Sequence, residues 1–175
     1  MRRVTSLSGT TLGRRADCVT AWLKHISTFD PEDFASLAKH ASERGLDLYR
    51  SYESRGEGPL HKKLKQSIRD KPEALLGERL TLIQEEYQFP TNDRADLLFV
   101  DSRTRLLAVE VEIDVGALDV VGLLQAVKYK AMLMVQFGRR PTGVRGLLAA
   151  RTIHPVMQER ATRYEIETRE IRGVI

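Results

Sequence analysis

The chain reads as an α/β protein: a mixed central sheet of about five strands flanked by helices, with a small N-terminal helical extension. Three observations predict this class. Segments with apolar residues at helical spacing are interleaved with short, nearly continuous apolar runs. The runs RADLLFV and LLAVEVEI are joined through Asp101-Ser102-Arg103-Thr104, a connection so short that it implies an antiparallel hairpin. The run VRGLLAARTI at 144–153 follows a long helix, and a helical crossover suits parallel pairing with an earlier strand.

In chain order, residues 1–15 are rich in Ser, Thr, Gly and Arg without periodicity, the composition of an arm whose Arg2, Arg3, Arg14 and Arg15 can touch a nucleic-acid backbone. A helix is expected over 16–26. Asp30-Pro31-Glu32-Asp33 starts another, with an N-cap, a first-position proline and first-turn acids. It runs to about residue 44 before Gly45, with Phe34, Leu37, Ala38 and Ala41 on one face. SRGEG around Gly56 and Gly58 is a hinge, so residues 1–55 form an arm and helical extension and residues 56–175 the main domain.

The main domain opens with a helix from Pro59. Leu60, Leu64 and Ile68 are expected as its inner stripe, with Lys62, Lys63, Lys65 and Arg69 facing water or phosphate. Lys71-Pro72 breaks it, and a further turn over 72–76 ends at Gly77. The first strand, 79–89, is closed by Pro90-Thr91-Asn92-Asp93. After the hairpin, a linker containing Gly116 leads to a helix over 117–137, terminated by Gly138 and Pro141. The strand at 144–153, a helix at 155–162 and a strand at 164–171 complete the order.

Composition excludes several classes. Hydrophobic residues make up 42% and charged residues 30%, an ordinary globular balance. No apolar run approaches the ~20 residues of a membrane span, and the opening MRR has no apolar segment behind it, so a cytoplasmic location is the expectation. Cys18 stands alone, which removes internal disulfides and cysteine-based zinc sites, and the four histidines show no zinc spacing. The net charge of +4 is uneven. Residues 1–70 hold 13 Lys or Arg against 9 Asp or Glu, whereas residues 71–175 hold 15 of each.

Chemistry concentrates at residues 94–112. In a strand over 106–113, Leu106, Ala108, Glu110 and Glu112 share one face, and Leu107, Val109, Val111 and Ile113 the other. Glu110 and Glu112 then lie ~6–7 Å apart along the strand, close enough to share one cation or a close pair. Charges in apolar strands are normally paired or metal-bound, and hard cations such as Mg²⁺ take oxygen ligands. The alternative is a face solvated at a sheet edge.

The words PEALLG (72–77), EEYQFPTNDRADLLFVD (85–101), AVEVE (108–112), QAVKY (125–129) and VRGLLAAR (144–151), in this order, resemble the catalytic domain of the NucS-type mismatch-specific endonucleases, within the PD-(D/E)XK nuclease superfamily. The resemblance spans residues 57–171 and implies a restriction-endonuclease-like core and Mg²⁺- or Mn²⁺-dependent hydrolysis of DNA phosphodiesters. By that resemblance Asp96 is a metal-binding aspartate and Glu110 the glutamate of the E-x-K element. The third position, a lysine in the family, is Glu112 here. Either Glu112 takes the role as general base or second-metal ligand, or a lysine such as Lys128 enters from elsewhere, or the site is inert.

Gln125 and Tyr129 match the family's QxxxY element and share a helical face. Glu57 is nearest to a family glutamate of the preceding helix. Pro59 starts that helix after it, which leaves His61 in the first turn; either can complete a metal shell. Glu86, in the EEY word, is an accessory residue or a surface carboxylate. Lys62, Lys65, Arg94 and Lys128 are the expected nucleic-acid contacts. The function so implied is a metal-dependent deoxyribonuclease of repair, recombination or defence, compatible with a homodimer. The alternative is an inactive nuclease-fold module that binds nucleic acid or a protein partner.

Overall fold

The computed structural model describes residues 58–174, with Thr20 and Pro31 as isolated helical positions before them. The expected arm and helices of residues 1–55, the boundary after them, Cys18 and Glu57 lie outside the described residues.

The first helix, α1 (Pro59–Asp70), begins where Pro59 follows the extended Gly58. It ends at Lys71, which Pro72 holds out of the helical region. A short helix, α2 (Pro72–Leu76), is capped by Gly77. Then come β1 (Leu80–Gln88), β2 (Arg94–Asp101), β3 (Leu106–Val115), α3 (Val120–Gln136), a 3₁₀ turn (Pro141–Gly143), β4 (Val144–Ile153), α4 (Pro155–Arg163) and β5 (Glu167–Glu170). Among the described residues they make one five-stranded sheet in the order β1-β2-β3-β4-β5. The first three strands are antiparallel, β4 runs parallel to β3, and β5 parallel to β4. The mixed sheet, the hairpin and the helical crossover are those expected.

Alternation along β3 builds the two layers. Leu107, Val109 and Val111 face α1, where they pack with Leu64, Ile68, Leu97 and Phe99. Leu106 and Ala108 face the opposite way, against Tyr129, Met132 and Leu133 of α3. The N-terminal half of α3 packs through Leu123, Leu124 and Val127 on Leu148 and Ala150 of β4. Enclosure on both faces explains why β3 and β4 are almost continuously apolar. The β2–β3 turn is locked by Asp101, which is buried and accepts the backbone N–H groups of Arg103 and Arg105. Burial works against its charge, yet those bonds and the Arg105 guanidinium hold its carboxyl below the usual range.

Three boundaries and faces differ from expectation. The inner stripe of α1 is His61, Leu64, Lys65 and Ile68 rather than Leu60, Leu64 and Ile68. Lys65 is 3% exposed, while Leu60 is 46% exposed. The i, i+3, i+4, i+7 spacing of those four residues defines a straighter stripe on a 3.6-residue helix than three residues at i+4 steps. The long helix starts at Val120, not 117, because Asp119 accepts the N–H of Gly116 and closes a separate turn. The last strand is confined to Glu167–Glu170, since residues 164–166 donate their N–H groups back to Arg160, Ala161 and Thr162 at the end of α4.

Candidate active site

Where β2 and β3 should continue their pairing, they part. The ladder runs from Val100↔Leu106 to Leu97↔Val109 and stops; the next pair in register is Asp96 with Glu110. Beyond it, the Val111 N–H donates to Asp96 Oδ2 at 2.8 Å, and the Val111 carbonyl accepts from His61 Nε2 at 2.7 Å. Buried backbone groups need partners, so a carboxylate from β2 and an imidazole from α1 replace the missing ladder. Because a carbonyl only accepts, the His61 proton resides on Nε2.

The gap opens into a cleft of about 560 Å³ lined by Leu60, His61, Asp96, Glu110, Glu112 and Gln125, among others. Asp96 and Glu110 are 8% and 7% exposed, and β3 is the middle strand of the sheet. The acids are therefore not a wet sheet edge.

Lys65 reaches Asp96, one of the cleft-lining acids. Its ammonium pairs with Glu86 and stands 3.6 Å from Asp96 Oδ1. The expectation that Lys65 faces phosphate is thus corrected: its place in the inner stripe of α1 buries it and carries its ammonium to Glu86 of β1 and Asp96 of β2. Glu86 sits in β1 between the pairs Glu85↔Leu97 and Tyr87↔Ala95, hence opposite Asp96, and its φ is +52°. A left-handed conformation costs a non-glycine residue about 1–2 kcal/mol. Such strain persists where the surroundings demand it, and it gathers at functional sites.

Burial is the main force on Glu110. It pushes the carboxyl well above the usual carboxylate range, assisted by the charges of Asp96, Glu112 and Glu86 and opposed by Lys65. Glu110 Oε2 is buried without a hydrogen-bond partner among the described residues. A buried, unpartnered carboxylate oxygen facing three further acids is the donor chemistry of a cation site. No three His, Cys, Asp or Glu side chains among the described residues converge as a ready-made metal cage. Mg²⁺ is commonly held by one or two carboxylates, with water and substrate phosphate filling its shell. Asp96 and Glu110 fit that mode.

Glu112 leans against α3. A Cβ on the buried Gly122 would meet Glu112 Cγ at 2.9 Å, Oε1 at 3.0 Å and a Leu148 methyl at 3.3 Å. Gly122→Ala is expected to displace Glu112 and to cost about 1–3 kcal/mol of stability. Thermal melts check this: Glu112→Ala should recover part of the loss in the double variant, and strictly additive losses would exclude the contact. One turn further along α3, Gln125 lines the cleft and donates to the Tyr129 hydroxyl at 3.4 Å. Tyr129 is 2% exposed and stacked on Phe89 with centroids 5.3 Å apart. Burial, with Glu110 second, holds its phenol well above the usual range and therefore protonated.

Lys128, Arg94 and Lys62, expected near the site, lie apart from the cleft lining. Lys128 is held by Asp93 of the β1–β2 turn at 2.7 Å. Arg94 is 61% exposed and lies 3.5 Å from Glu86, and Lys62 is exposed on α1. His61 is in the cleft, with Nε2 engaged by Val111. The burial of Lys65, the left-handed backbone of Glu86 and the close approach of Gly122 to Glu112 are not among the sequence expectations, although the His61-Leu64-Lys65-Ile68 spacing carries the inward direction of Lys65.

The profile of the "Endonuclease NucS C-terminal domain" family matches residues 61–174, about two thirds of the chain. The chain belongs to the NucS C-terminal domain family. Its fold agrees with that of three solved structures. The structure of an EndoMS–dsDNA complex superposes with a TM-score of 0.55 at 19% identity, covering 69% of this chain and 48% of the other. A repair endonuclease from Pyrococcus abyssi gives 0.53 at 19% identity, covering 68% and 49%. EndoMS in its apo form gives 0.53 at 20% identity, covering 68% and 49%. The chain thus spans about half the length of these solved structures. No curated protein sequence matches it. Among the described residues no helix is long and apolar enough to cross a membrane.

Proposed function

We propose that this NucS-type domain is a Mg²⁺- or Mn²⁺-dependent deoxyribonuclease. The observation that carries the proposal is the splayed end of β2 and β3, where Asp96 and the unpartnered Glu110 Oε2 meet in one cleft with Glu112. Asp96 and Glu110 would hold the cation. When bound, it supplies charge neutralisation of the phosphodiester, a more acidic water and stabilisation of the leaving oxygen.

The chain's own residues do the rest. His61 and Asp96 fix Val111, and so fix the backbone between Glu110 and Glu112. Gln125 presents its side chain to the cleft from a helix anchored by Tyr129. Glu112, on the same strand face as Glu110 and lining the same cleft, accepts a proton from the attacking water. DNA as substrate is supported by family membership and by the duplex in the EndoMS complex.

One observation favours a second reading, a DNA-binding module that does not cut: Glu112 occupies the family's lysine position. Incubation of the full chain with labelled single-stranded, duplex, mismatched and branched DNA and Mn²⁺ separates the two. Cleavage that needs both the cation and Asp96 is expected. Salt-sensitive binding without cleavage, unchanged by Asp96→Ala, would establish the binding module instead.

A further inference from the structure

Lys65 is the least expected charge in the molecule. A lysine is seldom fully buried, and this one is 3% exposed with its ammonium set between Glu86 and Asp96. It shares the inner face of α1 with His61, Leu64 and Ile68, and its ammonium reaches Asp96, which lines the cleft. The partner that receives it, Glu86, adopts φ +52° inside a strand, at the register position facing Asp96. The Lys65 ammonium therefore contacts two carboxylates of neighbouring strands, Glu86 of β1 and Asp96 of β2.

We infer that Lys65, anchored by Glu86, is the positioning residue for Asp96 in the proposed metal-dependent reaction, and supplies from α1 the positive charge that Glu112 cannot supply from β3. The inference rests on the proposed nuclease function.

Asp96 has two oxygens with separate tasks. Oδ2 accepts the Val111 N–H at 2.8 Å, and Oδ1 faces the Lys65 ammonium at 3.6 Å. Together they fix the carboxylate plane. Four acids, Asp96, Glu110, Glu112 and Glu86, surround that region, and an ammonium embedded among them offsets one negative charge before any anionic substrate arrives. Lys65 is too deeply buried to take a phosphate itself, and its ammonium is already paired with Glu86. It acts through Asp96. Removing it should leave the acids able to attract a cation, because a competing positive charge has gone, while the carboxylate loses its set direction.

The test uses the full chain with MnCl₂ as probe, read by isothermal titration calorimetry for binding and by single-turnover cleavage of labelled duplex DNA at saturating Mn²⁺. Lys65→Met is expected to slow cleavage about 100-fold, the scale of a misplaced reacting group. Its Mn²⁺ affinity should be equal to or tighter than the parent's. Lys65→Arg, which keeps the charge, should recover cleavage to within about tenfold of the parent. Where Lys65→Met does not fold, Lys65→Arg and the nearly isosteric Glu86→Gln carry the test, the latter slowing cleavage about tenfold with Mn²⁺ binding retained. The inference is overturned if Lys65→Met or Glu86→Gln cleaves at the parent rate. It is also overturned if rate and Mn²⁺ affinity fall together in these variants, or if Lys65→Arg is as impaired as Lys65→Met. A parent chain that neither binds Mn²⁺ nor cuts DNA overturns the nuclease function itself, and this inference with it.

Discussion

Asp96→Asn is expected to abolish cleavage, by at least about 10³-fold, while leaving the fold intact. The two effects separate because the side chain does two jobs. Its structural job is to accept the Val111 N–H at the splay of β2 and β3. The amide oxygen of Asn can keep that bond, so the parted strands remain satisfied. Its chemical job needs the charge: the ammonium of Lys65 at 3.6 Å and the proposed cation both require an anionic oxygen. Asn offers its N–H₂ where a lone pair was needed. The same substitution relieves repulsion on Glu110, for which Asp96 is the largest charged neighbour acting upward. The melting temperature should therefore stay within about 2–4 °C of the parent, the shift that 1 kcal/mol brings in a domain of this size. Calorimetric Mn²⁺ affinity should fall at least about tenfold. A variant that melts normally and still cuts DNA would remove Asp96 from the chemistry.

The strand at 106–113 was legible as a near-continuous apolar run because both faces of β3 are covered, by α1 and by α3, and Glu110 and Glu112 stood out against that run. The hairpin was legible through Asp101-Ser102-Arg103-Thr104, where the Asp101 carboxylate caps the turn. Asp96, Glu110, Glu112 and Gln125 do meet in one cleft. The inward direction of Lys65 was legible in the His61-Leu64-Lys65-Ile68 spacing, but its full burial was not, because lysine normally keeps its head in water. Its burial depends on β2 and β3 packing against the helix and on Glu86 of β1 meeting its ammonium, a tertiary fact. The left-handed φ of Glu86 is carried by no residue type, since the word EEYQ is an ordinary strand sequence. Lys128, expected near the site from its helix, is turned instead toward Asp93, because its neighbour Tyr129 takes the inward position beside Phe89.

Glu110→Gln should stop cleavage as completely as Asp96→Asn, yet make the metal-free protein more stable at neutral and alkaline pH. The reason is the environment of Glu110. Burial first, and then Asp96, Glu112 and Glu86, raise its carboxyl well above the ordinary 4.5, with Lys65 opposing. Below pH 4.5 folded and unfolded chains both hold the proton, and Glu110 carries no penalty. Between 4.5 and the raised folded value, the unfolded chain releases a proton that the folded chain keeps, so stability falls as pH rises. Above the folded value the full penalty stands: a buried anion with Oε2 unpartnered. Glutamine has no such titration, and its amide can donate toward the neighbouring acids. Thermal melts of parent and variant should thus coincide at about pH 4 and diverge upward from there, with the variant higher by about 2–8 °C at about pH 8 for 1–2 kcal/mol. Mn²⁺ should then reverse the order. By binding only the folded parent at an ionised Glu110, it raises the parent's melting temperature with concentration and leaves the variant nearly unmoved. Parallel pH profiles for the two proteins would show that Glu110 is not the strained anion of the site. An equal response to Mn²⁺ in both would show that the cation binds without it.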